Sequence, residues 1–183
     1  SGDWSSDVCS SDLGYDGAGI TDLEAATGLG RQSLYGAFGD KRALFLRVVD
    51  FYFANVLEPG FVAVLDAKGS GRANIERIFA GWQMVASAPD FHGCLVGNTA
   101  THMKSQDDEI AEVLRRKLRL LEDAFARAIE RGIDDGEIRA CIDPRTTARA
   151  LLTFAQGLSV IAQVNKDPAF VANIVDAARR LLD

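Results

Sequence analysis

The chain has 183 residues, 48% of them hydrophobic and 25% charged, with a net charge of −6. That is enough for one ordinary domain, or a small domain joined to a larger one, with ample apolar material for a core. Three scattered cysteines, Cys9, Cys94 and Cys141, argue against a disulfide framework and a zinc site, and the acidic balance has the wrong sign for a generic nucleic-acid binder.

Charges interrupt every apolar stretch, so no run is expected to span a membrane. The start of the chain lacks a basic stretch followed by an apolar block, so no signal peptide is expected, and a reducing cytoplasm is the default location. Residues 1–13 differ from the rest. Ser-Ser-Asp occurs twice, Lys and Arg are absent, and only Trp4, Val8 and Leu13 could anchor a weak helix. The string also looks like translated adapter DNA joined to a truncated gene, a reading in which Gly14 is the first authentic residue.

From Gly14 the pattern changes. Ile20, Leu23, Ala26 and Leu29 have the spacing of one short helix and its exit, and Gly28 can take the left-handed backbone that ends it. Thr21 with Glu24 offers a capping box; if Gly19 caps instead, the Thr21 hydroxyl is free for a phosphate. Arg31 to Ala37 fits a second helix, with Leu34 and Phe38 inward. Gly39 breaks it, and Asp40 can cap a third helix carrying Ala43, Leu44, Leu46 and Val48 inward. Two short helices joined by a glycine turn are a helix-turn-helix, whose second helix enters the DNA major groove.

The third helix is expected to run to residue 57 and end at Glu58-Pro59-Gly60. Further helices follow at about 72–88, 93–103, 107–131, 144–164 and 168–182, the last two opening with Asp143-Pro144 and Asp167-Pro168. Arg115, Arg116, Lys117 and Arg119 form a basic run expected to be a solvated helix face. No segment alternates like a strand, so the chain is predicted to be all-α.

The combination Gly14-Tyr15, Ile20, Leu23, Ala26, Gly28-Leu29, Arg31, Ser33-Leu34-Tyr35, Phe38, Asp40-Lys41 and Leu44 resembles the DNA-binding domain of the TetR family of bacterial transcriptional regulators. The resemblance implies a helix-turn-helix unit at 1–46, with residues 1–13 standing where a basic first helix is normally found. It also implies a helical effector-binding and dimerisation domain at 47–183. It further implies a homodimer on a palindromic double-stranded operator, released by a small-molecule effector.

Residue by residue, Arg31 and Gln32 can read base edges, while Thr21, Ser33, Tyr35 and Lys41 suit phosphates. Seven acids face three bases between Ser1 and Arg42, so attraction to phosphate rests on a few well-aimed groups. An effector pocket could be lined by Phe79, Trp82, Gln83, Cys94, Asn98, His102, Met103 and Phe154, with Gln156 nearby. Each of these is also a plain core candidate. Cys94, after Gly93 at a helix start, is either a reactive thiol or a small buried hydrophobe.

No nucleophile elbow, phosphate-cradling loop or metal cluster is present, so no enzyme, cofactor or metal is expected. The rival reading is an all-α dimeric ligand-binding protein with impaired DNA binding, caused by the atypical start and local acidity.

Overall fold

The computed structural model describes Tyr15, Thr21, Glu24 and residues 28–86, 88, 91–102 and 107–183. The expectations for residues 1–13, Gly19 and Met103 lie outside this set, as does that for the His102 side chain. All regular structure among the described residues is helical: α1 (Arg31–Phe38), α2 (Lys41–Leu65), α3 (Gly71–Ala86), α4 (Leu95–His102), α5 (Asp108–Asp134), α6 (Pro144–Ile161) and α7 (Pro168–Arg180).

The helix starts follow local chemistry. Asp40, Asp107, Asp143 and Asp167 are extended residues whose carboxylates accept backbone N–H groups of the first turn, at 2.7 Å from Ala43 N and 2.6 Å from Thr146 N in two cases. Each such bond satisfies a donor that the helix leaves unpaired. Pro144 and Pro168 follow directly, where a missing N–H costs nothing.

Helix α2 departs from expectation. It does not end at Pro59 but continues to Leu65, with π-helical turns from Phe53 to Val62. Pro59 has no N–H for an α-type bond, and the wider register accommodates it. The buried residues of α2 explain why the register change persists. Phe45, Val49, Phe53, Leu57, Phe61 and Leu65 recur every four residues. In an α-helix a four-residue step drifts by about 40° around the axis. A π turn holds more than four residues and drifts the other way. The mixture keeps one face on the core for 25 residues.

The inward residues at the start of α2 are therefore Phe45 and Val49, while Ala43, Leu44, Leu46 and Val48 are only half-buried. By length and mean hydropathy, 1.5 in its most apolar window, α2 would qualify as a membrane span, contrary to the sequence expectation. Its buried face is seated on the protein core, and its other side carries Arg47, Asp50 and Glu58.

Helix α5 is the centre of the larger part, packing along α6 and against α3. Phe125 stacks on Phe79 at 6.2 Å and meets Phe61 edge-on at 5.1 Å. At Gly71 the α3 and α5 backbones come so close that a methyl would run into the Ala128 carbonyl. Arg127 clamps the Asp66 carboxylate with two bonds, of 3.0 and 2.7 Å, tying the end of α2 to α5. Leu158 lies inside this core, 2% exposed. It is the stripe Thr153, Val160, Ile161 and Val164 that faces outward on α6 and the turn after it, with Gly157 half-buried beside it.

Candidate nucleic-acid interface and effector region

Thr21 and Glu24 are helical, Gly28 has φ +67° and donates to the Glu24 carbonyl, and α1 follows after two residues. This is the glycine-terminated helix and short turn that the sequence implies. Gly30, at the cap of α1, has no side chain to offer. The Glu24 carboxylate takes over, accepting Arg31 N–H at 2.6 Å. Thr21 and Glu24 do not form a capping box, because Thr21 is already within its helix and Glu24 caps the next one.

Leu34 is the buried residue of α1, and Arg31, Gln32 and Ser33 are exposed beside it. The Arg31 guanidinium lies 5.4 Å from the centre of the Tyr35 ring. Lys41 opens α2 and stands 4.7 Å from the centre of the Tyr15 ring, which in turn packs on Phe45 at 5.1 Å. An ammonium over an aromatic face is held without neutralising its charge. The adjacent Arg42 turns to the larger domain, reaching Glu109 at 3.4 Å and Asp107 at 3.9 Å.

The effector candidates scatter in role. Phe79 is fully buried against Phe125. Trp82 meets Phe91 edge-on at 5.9 Å, and Gln83 and Phe154 are partly buried. Asn98 is buried and donates to the His92 carbonyl at 2.7 Å, while its own oxygen accepts from Gln163 at 2.9 Å. Cys94 is 1% exposed. Its thiol lies 4.0 Å from the Gln156 amide nitrogen and neighbours the Tyr52 hydroxyl, close to the start of α4. Burial, reinforced by the thiol, raises the Tyr52 phenol well above its usual range.

A cleft of about 490 Å³ opens between α4, α5 and α6, lined mainly by Val96, Gly97, Ala100, Gln156, Gly157 and Val160. Its walls are apolar. Among the described residues, Gln156 is its one link to the predicted set, and Phe79, Trp82, Gln83, Cys94, Asn98 and Phe154 are not part of its lining.

Residues 71–178 match the C-terminal domain of tetracycline-repressor-like proteins, the span from α3 to α7. The chain is 34% identical to the uncharacterised helix-turn-helix regulator YezE of Bacillus subtilis, over 94% of this chain and 89% of that protein. The chain belongs to the TetR family of transcriptional regulators.

This TetR-family chain is 26% identical to the transcriptional repressor DhaR of Mycobacterium sp., over 85% of its own length and 78% of DhaR. It superposes on the regulator CifR, solved on a 26-base-pair operator duplex, with a TM-score of 0.83 and 27% identity, covering 93% of this chain and 92% of that one. It is thus a DNA-binding, ligand-responsive regulator of the dimeric TetR type, and not an enzyme.

Sequence reasoning missed two contacts in this TetR-family fold. Glu24 as the cap of α1 had a signal: Gly-Leu-Gly ahead of the helix leaves no local oxygen, so a distant acceptor is required. Lys117 had none. It falls in the basic run expected to be a solvated helix face, yet its side chain is 12% exposed and packs against α2.

Proposed function

We propose that this regulator is a repressor whose dimer binds a palindromic operator through α1 and lets go when a small molecule binds the larger domain. The DNA-binding unit corresponds to about residues 1–46 and the effector and dimerisation domain to 47–183, with α2 crossing the join. Acting on chromosomal DNA places it in the cytoplasm. The observation that carries the reading is the exposed row Arg31, Gln32 and Ser33 on a helix anchored by buried Leu34, with Lys41 set on Tyr15 beside it.

Arg31 and Gln32 have the donors and acceptors to read guanine or adenine edges. Ser33, Tyr35, Thr21 and Lys41 fit phosphate contacts that set register. Trp82, Gln83 and Phe154 are partly exposed and suit effector contacts, with His102 the last residue of α4 and Met103 next along the chain. Phe79 and Asn98 serve such a pocket as its wall and frame. The two copies fit together through the outward stripe of α6, Thr153 to Val164, where Gly157 permits close approach of a second helix.

The test is titration of duplexes selected by the wild-type protein from a random pool, beside scrambled DNA, at several salt concentrations. Arg31→Ala is expected to cost about 1–3 kcal/mol on the selected duplex only. Lys41→Ala should weaken binding to both and lower the salt slope by about one. Equal, sequence-independent losses would remove Arg31 from base reading, and no preference for any duplex would favour a ligand-binding protein with impaired DNA binding.

A second trigger, chemical modification of Cys94, is favoured by one placement: its thiol lies in the core that Tyr52 packs against, on the helix that leads to α1. Modification there would push on α2. Labelling of the native protein tests it; a Cys94 that reacts only after denaturation is a core residue.

A further inference from the structure

Helix α2 is the sole continuous element between α1 and the larger domain among the described residues, so whatever fixes its direction aims α1. Two ion contacts tie its front half to α5. Arg42 reaches Glu109 at 3.4 Å, and Asp50 receives the Lys117 ammonium at 2.7 Å. The partners lie eight residues apart on both helices, so the two contacts sit about 12 Å apart along parallel axes. They differ in kind. Arg42 and Glu109 are both well exposed, and such a pair is weak and screened by salt. Lys117 is 12% exposed and its ammonium also lies 4.5 Å from the centre of the Phe53 ring. A shielded cation needs its partners, and here both are on α2, in its last α turn and at its first π residue. Tyr52, between them, is packed into the core that holds Cys94 and Leu95 at the α4 start. Residues 50–53 are therefore held by Lys117 of α5 and by packing beside α4.

We propose that Lys117 is a positioning residue for operator binding: its hold on Asp50 and Phe53 sets the direction of α2, and so the separation of the two α1 helices in the dimer. This rests on the operator reading above. The lever is long enough to matter. Lys41 lies about 15 Å ahead of the grip, so a 10° tilt moves it by about 3 Å. Two copies double that, against half-sites about 34 Å apart. A Lys117 that only stabilised the fold would weaken all DNA binding alike; a positioning Lys117 changes which spacing fits.

The experiment compares Lys117→Met, which keeps the apolar stem, with Lys117→Arg, which keeps the charge. The probes are the duplex selected by the wild type and the same duplex with one base pair inserted or deleted between half-sites. The wild type is expected to prefer the parent spacing. Lys117→Met should lose about tenfold on the parent and bind all three duplexes within about threefold, while Lys117→Arg restores most of the preference. In parallel, a spin label at Gln32→Cys, with Cys9 and Cys141 replaced by Ser, measures the α1–α1 distance in the DNA-free dimer. Lys117→Met should broaden that distribution. If Lys117→Met does not fold, Asp50→Asn, at an exposed position, is expected to broaden it instead. An unchanged distance distribution, or a loss of affinity equal across the three spacings, overturns the proposal. A wild-type protein without duplex preference would sink the operator reading and leave the distance measurement to decide this one.

Discussion

In α1 one residue of eight is buried, whereas α5 buries nine of its twenty-seven. The first keeps its polar row outside and hangs on Leu34; the second is sealed between α3 and α6. The two regions also differ in how they end. Helix α5 has its own cap in Asp107, while α1 borrows Glu24 from the preceding helix. The larger domain is a structure that stability built, and the DNA-facing end is a surface that α2 holds out. Damage to the two should thus read out differently: globally in one, locally in the other.

The largest expected effect is Phe125→Ala. It removes the ring that Phe61 and Phe79 pack on, at a cost of about 3–5 kcal/mol. Denaturant melts should show a loss shared by every probe; a loss confined to one end would break the contrast. Gly71→Ala comes next. The added methyl meets the Ala128 backbone, which cannot move aside as a side chain could, and overpacking of this kind costs about 1–3 kcal/mol. The midpoint of the global melt should fall accordingly.

Gly28→Ala tests the other region. The site has open space around it, so the cost is purely the φ of +67°, about 1–2 kcal/mol. Hydrogen exchange should accelerate in residues 31–38 and DNA affinity should drop, with the melt of the larger domain unmoved. A matching fall in the global melt would show that the two regions unfold as one.

The smallest effect concerns Tyr52. Its folded phenol is raised above the ordinary value of about 10, so the folded protein holds a proton that the unfolded chain releases. The contribution is complete below about pH 10 and is lost as pH rises beyond it. Tyr52→Phe should flatten the alkaline limb of stability against pH, measured by denaturant melts, and leave the neutral limb nearly unchanged. An unaltered alkaline limb would mean that the phenol is not held by its surroundings.

Much of the fold was legible because helix starts are local. Asp40, Asp107, Asp143 and Asp167 lie within three residues of the amides they cap, and Gly28 and Gly39 mark turns by backbone freedom alone. The course of α2 was half legible. Pro59 argued for a stop, yet the four-residue recurrence from Phe45 to Leu65 was visible in the sequence and pointed to a slower-turning helix. What could not be read was anything fixed by distant partners. Asn98 is tied by Gln163, sixty-five residues away, and Lys117 by Asp50 across the domain. Leu158 shares the apolar pattern of Val160 and Ile161, and only the packing of α6 on α5 tells which of them faces outward. The exposure of Arg31, Gln32 and Ser33 was easier to read, because it comes from a short helix with a single anchor.

The continuity of α2 carries a consequence for how such a chain tolerates change. Between Lys41 and Asp50, each inserted residue turns everything ahead of it by about 100° and advances it by 1.5 Å. Splicing a foreign reading head onto this body is therefore a matter of phase. A junction before Asp50 must be made in whole turns of the ordinary helix, whereas one placed among the π turns from Phe53 to Val62 follows a different count and would leave the head facing away from its groove.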